Sequence, residues 1–117
     1  MTESIMSQKA IDYAVKIVEL HKELVHKKKE YQIADQIKRS GTAIGALLCE
    51  AKFAESTADY VHKAKIALKE CHETEYWLNI LQRTNYLTKE KFDELMSENT
   101  ELKKMLISSV KTLQGKK

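Results

Sequence analysis

Proline is absent from the chain, and its 117 residues include only three glycines. A β-rich protein of this length needs far more turn-forming residues, so sandwiches and barrels are excluded. No apolar run approaches the roughly 20 residues that span a bilayer. The segment Met1 to Lys9 lacks the hydrophobic core of a secretory signal. The two cysteines, Cys49 and Cys71, form no CxxC pair, and both fall inside segments with helical patterning. They read as two small buried apolar side chains. A cytoplasmic, reducing location without a membrane role is therefore expected. Charge of one sign is also scarce, since the formal net charge is only +3.

What is present favours long helices. Lys, Glu, Leu, Ala, Ile and Gln are good to fair helix formers, and the length suits one domain spanning residues 1–117. Apolar residues recur at helical spacing in four segments, over about residues 3–25, 32–54, 57–83 and 89–113. The first carries a seam of Met6, Ala10, Tyr13, Ile17, Leu20 and Leu24, widened by Ile11, Val15, Val18 and Val25. The second places Ile33, Ile37, Ile44, Leu48 and Ala51 along one side. Gly41 and Gly45 interrupt it, each at a cost of about 1 kcal/mol relative to alanine. Either another backbone approaches closely there, or a loop splits the segment into two short helices.

Ser56 reads as the cap of the third helix, with Asp59 at the capping-box position, and Thr88 as the cap of the fourth. The third helix carries a stripe of Tyr60, Ala64, Ala67, Cys71, Leu78 and Leu81, and the fourth carries Phe92, Leu95, Leu102, Leu106 and Leu113. Asn99 sits on the fourth seam between Leu95 and Leu102. It is either a buried register-setting amide or, as is commoner, a solvated residue at the bundle edge; the second is expected. Four amphipathic helices with short connections give an all-α, antiparallel up-down-up-down four-helix bundle.

Catalytic and metal chemistry find little support. A di-metal bundle site needs two Glu-x-x-His motifs, and the chain has one, Glu23-Leu24-Val25-His26. Cys71 and His72 are adjacent and point about 100° apart on a helix, which does not suit one ion. With no strand, no phosphate-cradling glycine loop follows one. The expectation is a non-enzymatic protein with no metal site and no cofactor. One polar group stands out. Arg39 and Glu50 lie about three turns apart on the second helix, and Lys69, Glu70, Glu73 and Glu75 crowd the third beside Tyr76 and Trp77. They suit salt bridging between helices or subunits, or a recognition surface.

The stretch Gln36-Ile37-Lys38-Arg39-Ser40-Gly41-Thr42-Ala43-Ile44-Gly45-Ala46-Leu47-Leu48-Cys49-Glu50-Ala51 resembles the signature of the bacterial four helix bundle protein family. That family includes proteins encoded within intervening sequences of large-subunit ribosomal RNA genes. Ser56 to Lys63, Ile66 to Glu70, Glu73 to Leu78 and the Tyr86-Leu87-Thr88 turn extend the likeness over nearly the whole chain. Arg39, Glu50, Glu70 and Trp77 stand where the family pattern has those residue types. Leu47-Leu48-Cys49 departs from it, because the family commonly has Asn followed by Ile or Val before the Glu. The resemblance implies ring-shaped homo-oligomers, with five copies expected. It also extends to the accessory variability determinant proteins of diversity-generating retroelements, which bind nucleic acid and associate with a reverse transcriptase.

Two functions follow as expectations. In the first, the protein is a nucleic-acid-binding accessory protein whose partners are RNA or DNA and a reverse transcriptase or other protein. Lys27, Lys28, Lys29, Lys38, Lys103, Lys104, Lys116 and Lys117 then meet phosphates without reading sequence. In the second, it is an oligomeric protein-interaction scaffold with no nucleic-acid role, and Arg39, Glu50, Glu70, Glu73 and Trp77 form its polar interface.

Overall fold

Four helices follow one another in a computed structural model that describes the backbone of residues 2–115 and the side chains of residues 5–115. They are α1 (Thr2–His26), α2 (Gln32–Ala51), α3 (Thr57–Arg83) and α4 (Lys89–Leu113). Each packs against the next, α1 closes the square against α4, and the diagonal pairs stay apart. The connections span 27–31, 52–56 and 84–88, too short for anything but antiparallel neighbours. The result is an elongated four-helix bundle, 46 × 23 × 20 Å. One end carries the 27–31 and 84–88 connections; the other carries the 52–56 connection, the start of α1 and the finish of α4.

Most of the expected seam residues form the core; Ile33 and Phe92 are only half-buried, and Ile11 and Val15, expected to widen the α1 face, are exposed. Met6, Ala10, Tyr13, Ile17, Leu20 and Leu24 of α1 are buried. So are Ile37, Ile44, Leu48 and Ala51 of α2, the whole α3 stripe, and Leu95, Leu102, Leu106 and Val110 of α4. Leu113, expected on the fourth seam, lies 41% exposed at the last position of α4.

The glycines sit where α1 crosses α2, and α2 is one unbroken helix rather than two. A Cβ at Gly41 would stand 2.9 Å from the Ile17 side chain, closer than packing permits. At Gly45 it would meet the Ala10 Cβ at 3.4 Å, an ordinary contact.

The termini follow local chemistry. Ser56 accepts a bond from the Asp59 N–H at 3.0 Å, and Asp59 in turn accepts from the Glu55 N–H at 3.2 Å. Thr88 accepts from Lys91. Such caps stabilise a helix by about 1 kcal/mol. α2 starts under an unforeseen cap, the Glu30 carboxylate accepting from the Ala34 N–H at 2.9 Å. It ends at Ala51 rather than Ala54, because Phe53 and Ala54 bond back three residues, to Glu50 and Ala51, and tighten the chain out of the helix.

Two expectations need correction. Asn99 is fully buried, not solvated: it points into the bundle and donates from Nδ2 to the Cys71 carbonyl at 3.0 Å. Cys49 is exposed, while Cys71 alone is buried. Cys49 is one residue past the inward-facing Leu48, which turns it about 100° away from the core.

Candidate nucleic-acid interface

The 27–31 connection is built to hold cations in solvent. α1 runs out as the Lys27 and Lys28 N–H groups both return to the Glu23 carbonyl, and Glu30 N–H closes the turn on Leu24. This forces Lys29 to φ +59°, a conformation that favours glycine. Lys27, Lys28 and Lys29 are all exposed, and none forms an ion pair with another described residue. The short 84–88 connection brings the end of α3 to the same end of the bundle, and with it exposed Arg83. Sequence reasoning missed Arg83 because it lies 54 positions beyond Lys29. The signal was the topology, since helix ends two apart in chain order share an end of the bundle. Nearby Lys89 and Lys91 add little positive field, being paired with Asp93 at 2.7 Å and Glu94 at 3.5 Å.

The other lysines are scattered. Lys38 is exposed on the second turn of α2. Lys104 is exposed in the lower half of α4, away from the 27–31 connection. Lys103 turns inward instead and pairs with half-buried Glu75 of α3. Lys116 and Lys117 lie outside the described residues. The structure thus gathers Lys27, Lys28 and Lys29 with Arg83 at one end, and separates them from the α4 lysines.

The polar group on α2 and α3 divides in two. Arg39 reaches across to α3, 3.2 Å from Glu70 and 2.6 Å from Glu73, and Glu73 accepts from Trp77 Nε1 at 3.0 Å. The Arg39 guanidinium, with help from Trp77, holds the Glu73 carboxyl below the usual carboxylate range. Glu50 is not part of this group: it pairs with Lys63 at 3.1 Å, nearer the other end of the same seam. Below Arg39, the Ser40 and Thr74 hydroxyls meet at 2.9 Å in the buried interior. Arg39, Glu70, Glu73 and Trp77 therefore clamp α2 to α3, leaving the Tyr76 ring exposed beside them and edge-on to Trp77.

Among the described residues no group of three or more His, Cys, Asp and Glu is gathered as a metal site requires. None of the helices is long and apolar enough to cross a membrane. A family model described as 23S rRNA-intervening sequence protein matches residues 2–108. The chain belongs to the 23S rRNA-intervening sequence protein family. One solved relative is a protein of unknown function from the S23 ribosomal protein family of Bacteroides thetaiotaomicron. It is 47% identical, covers 95% of this chain and 99% of its own, and superposes with a TM-score of 0.93. No curated protein matches. The bundle is thus shared with that solved relative.

Proposed function

We propose that this intervening-sequence protein is a non-enzymatic, homo-oligomeric accessory protein that binds structured RNA or duplex DNA through the phosphate backbone. The observation that supports this reading is the cluster of unpaired cations, Lys27, Lys28 and Lys29, on the exposed connection that shares its end of the bundle with Arg83. Unpaired lysines release counterions from a nucleic acid without reading its bases. A formal +3 per chain is weak by itself. Assembly multiplies it, and in a ring of five copies the repeated basic ends produce a field that salt screens within about 10 Å. Lys38 and Lys104 extend the surface. Lys103 contributes less because Glu75 neutralises it.

The test is binding of the purified protein to a structured RNA and to duplex DNA across a salt series. Affinity is expected to fall steeply with salt. Replacing Lys27, Lys28 and Lys29 by Gln should flatten the log–log salt slope by roughly 2 to 3 per chain bound. An unchanged affinity and slope would remove these lysines from the interface. The second reading, a protein-interaction scaffold, draws on exposed Tyr76 beside the Arg39–Glu70–Glu73 clamp. It requires a partner that survives nuclease treatment and is lost in Tyr76→Ala.

A further inference from the structure

The outer face of α1 and α2 carries an apolar groove of about 570 Å³. Ile11 and Val15 form its wall and are 55% and 51% exposed. Gly45 and Ala46 keep its floor low, and Cys49 lies along it. Large apolar side chains rarely stand half in water side by side along a groove unless something covers them.

The charges at the groove's ends indicate what does. Glu19 and Lys22 flank one end and Lys52 the other. Just past Lys52 is Phe53, the most exposed large apolar residue described, at 80%, followed two residues later by Glu55. The side chains of all four of these charged residues are exposed and without an ion partner among the described residues. Phe53 therefore projects between Lys52 and Glu55, the complement of a groove end bearing Glu19 and Lys22. Its own groove end is out of reach. Gly45 packs on Ala10, and His21 bonds Asp35 at 2.8 Å. That antiparallel register puts Lys52 level with the start of α1, about 22 Å from Glu19 at 1.5 Å per residue.

We propose that the groove is occupied by a second copy of this chain, which inserts its Phe53 beside Val15 and Val18 and sets its Lys52 against Glu19 and its Glu55 against Lys22. An aromatic anchor in an apolar pocket, ringed by paired charges, is a common centre of an interface. The contact serves a reciprocal pair or a head-to-tail ring equally. It rests on the homo-oligomeric reading above and names the surface responsible.

The experiment is sedimentation velocity on the reduced full chain and on Val15→Lys, Phe53→Asp, Glu19→Lys, Lys52→Glu and the Glu19→Lys/Lys52→Glu double variant. All the altered positions are exposed or lie on a connection, and circular dichroism checks that the helices persist. The wild type should sediment as an oligomer. Val15→Lys and Phe53→Asp should weaken assembly by about tenfold or more. Each single charge reversal should weaken it, and the double reversal should restore it. Alkylating Cys49 with a bulky maleimide should act as Val15→Lys does. A wild type that stays monomeric would overturn both the oligomeric reading and this contact. An oligomer whose mass is untouched by Val15→Lys and Phe53→Asp would leave assembly standing and overturn the groove as its seat.

Discussion

Cys49 and Cys71 show how far one residue's place on a helix decides its chemistry. Cys71 lies in the core, and burial first, then the nearby Glu75 carboxylate, pushes its thiol up to about 12. Its thiolate, the reactive form, is then scarce at neutral pH. Cys49 faces solvent. Titration of the native protein with a thiol reagent should label one cysteine quickly and the second only after denaturation; two fast thiols would contradict the packing of α3. The sequence held enough to separate them, because Cys49 falls off the Ile37, Ile44, Leu48, Ala51 spacing whereas Cys71 falls on its own stripe. Asn99 was the reverse. Its seam position was legible, but its acceptor, the Cys71 carbonyl, lies 28 residues away and belongs to the backbone, where no side-chain pattern points to it. Lys103 eluded the sequence similarly, since its partner Glu75 is on another helix.

Among the helices, the α1–α2 crossing leaves no room for a methyl group at Gly41. Gly41→Ala gains helix propensity of about 1 kcal/mol but drives a methyl group to within 2.9 Å of Ile17. Overpacking of this kind costs about 1–3 kcal/mol, so a net loss of up to about 2 kcal/mol is expected in urea unfolding. Ile17→Ala in the same chain should reduce the penalty of the glycine replacement, although it opens a cavity of its own. Gly45→Ala meets only an ordinary contact, and should be neutral or stabilising by up to about 1 kcal/mol. Equal losses at both sites would refute the crossing geometry. The number of helices, their faces and the three internal starts were readable from apolar spacing, two of those starts being marked by Ser56 and Thr88. The stop of α2 was not, because the Lys52-Phe53-Ala54 stretch lacks proline and glycine, and the helix yields only through three-residue hydrogen bonds. The start of α2 falls at Gln32 as expected, but its cap was not legible, since it comes from Glu30, outside the usual cap position.

In the molecule as a whole, carboxylates bind the helices to one another. Arg39 lowers Glu73 most, Trp77 next, across the α2–α3 seam. Lys16 does the same to Glu94 across the α1–α4 seam, where it also meets Glu98. A carboxyl depressed in the folded state adds stability above its ordinary value of 4.5 and loses it as pH falls through the folded value. Stability should therefore decline as the pH drops from about 5 toward 3, and Glu73→Gln should make that decline shallower. An identical acid limb in the variant would mean that the Arg39 clamp does not persist in solution. The candidate interface was less legible than the bundle for a related reason. Counting lysines along the chain gives eight candidates, while the fold keeps three of them together, adds Arg83, and turns Lys103 inward. Charge shows in composition, whereas its grouping depends on which helix ends meet.

The even number of helices has a practical result. α1 begins and α4 finishes at one end of the bundle, and Lys27, Lys28 and Lys29 project from the other. A tether to a bead, a sensor surface or a fused reporter at the start of α1 or the finish of α4 therefore leaves the basic connection outward, at the far end of the 46 Å bundle. Attachment at either of these helix ends should leave the lysine-bearing end equally free, so the two tethered formats can serve as controls for each other.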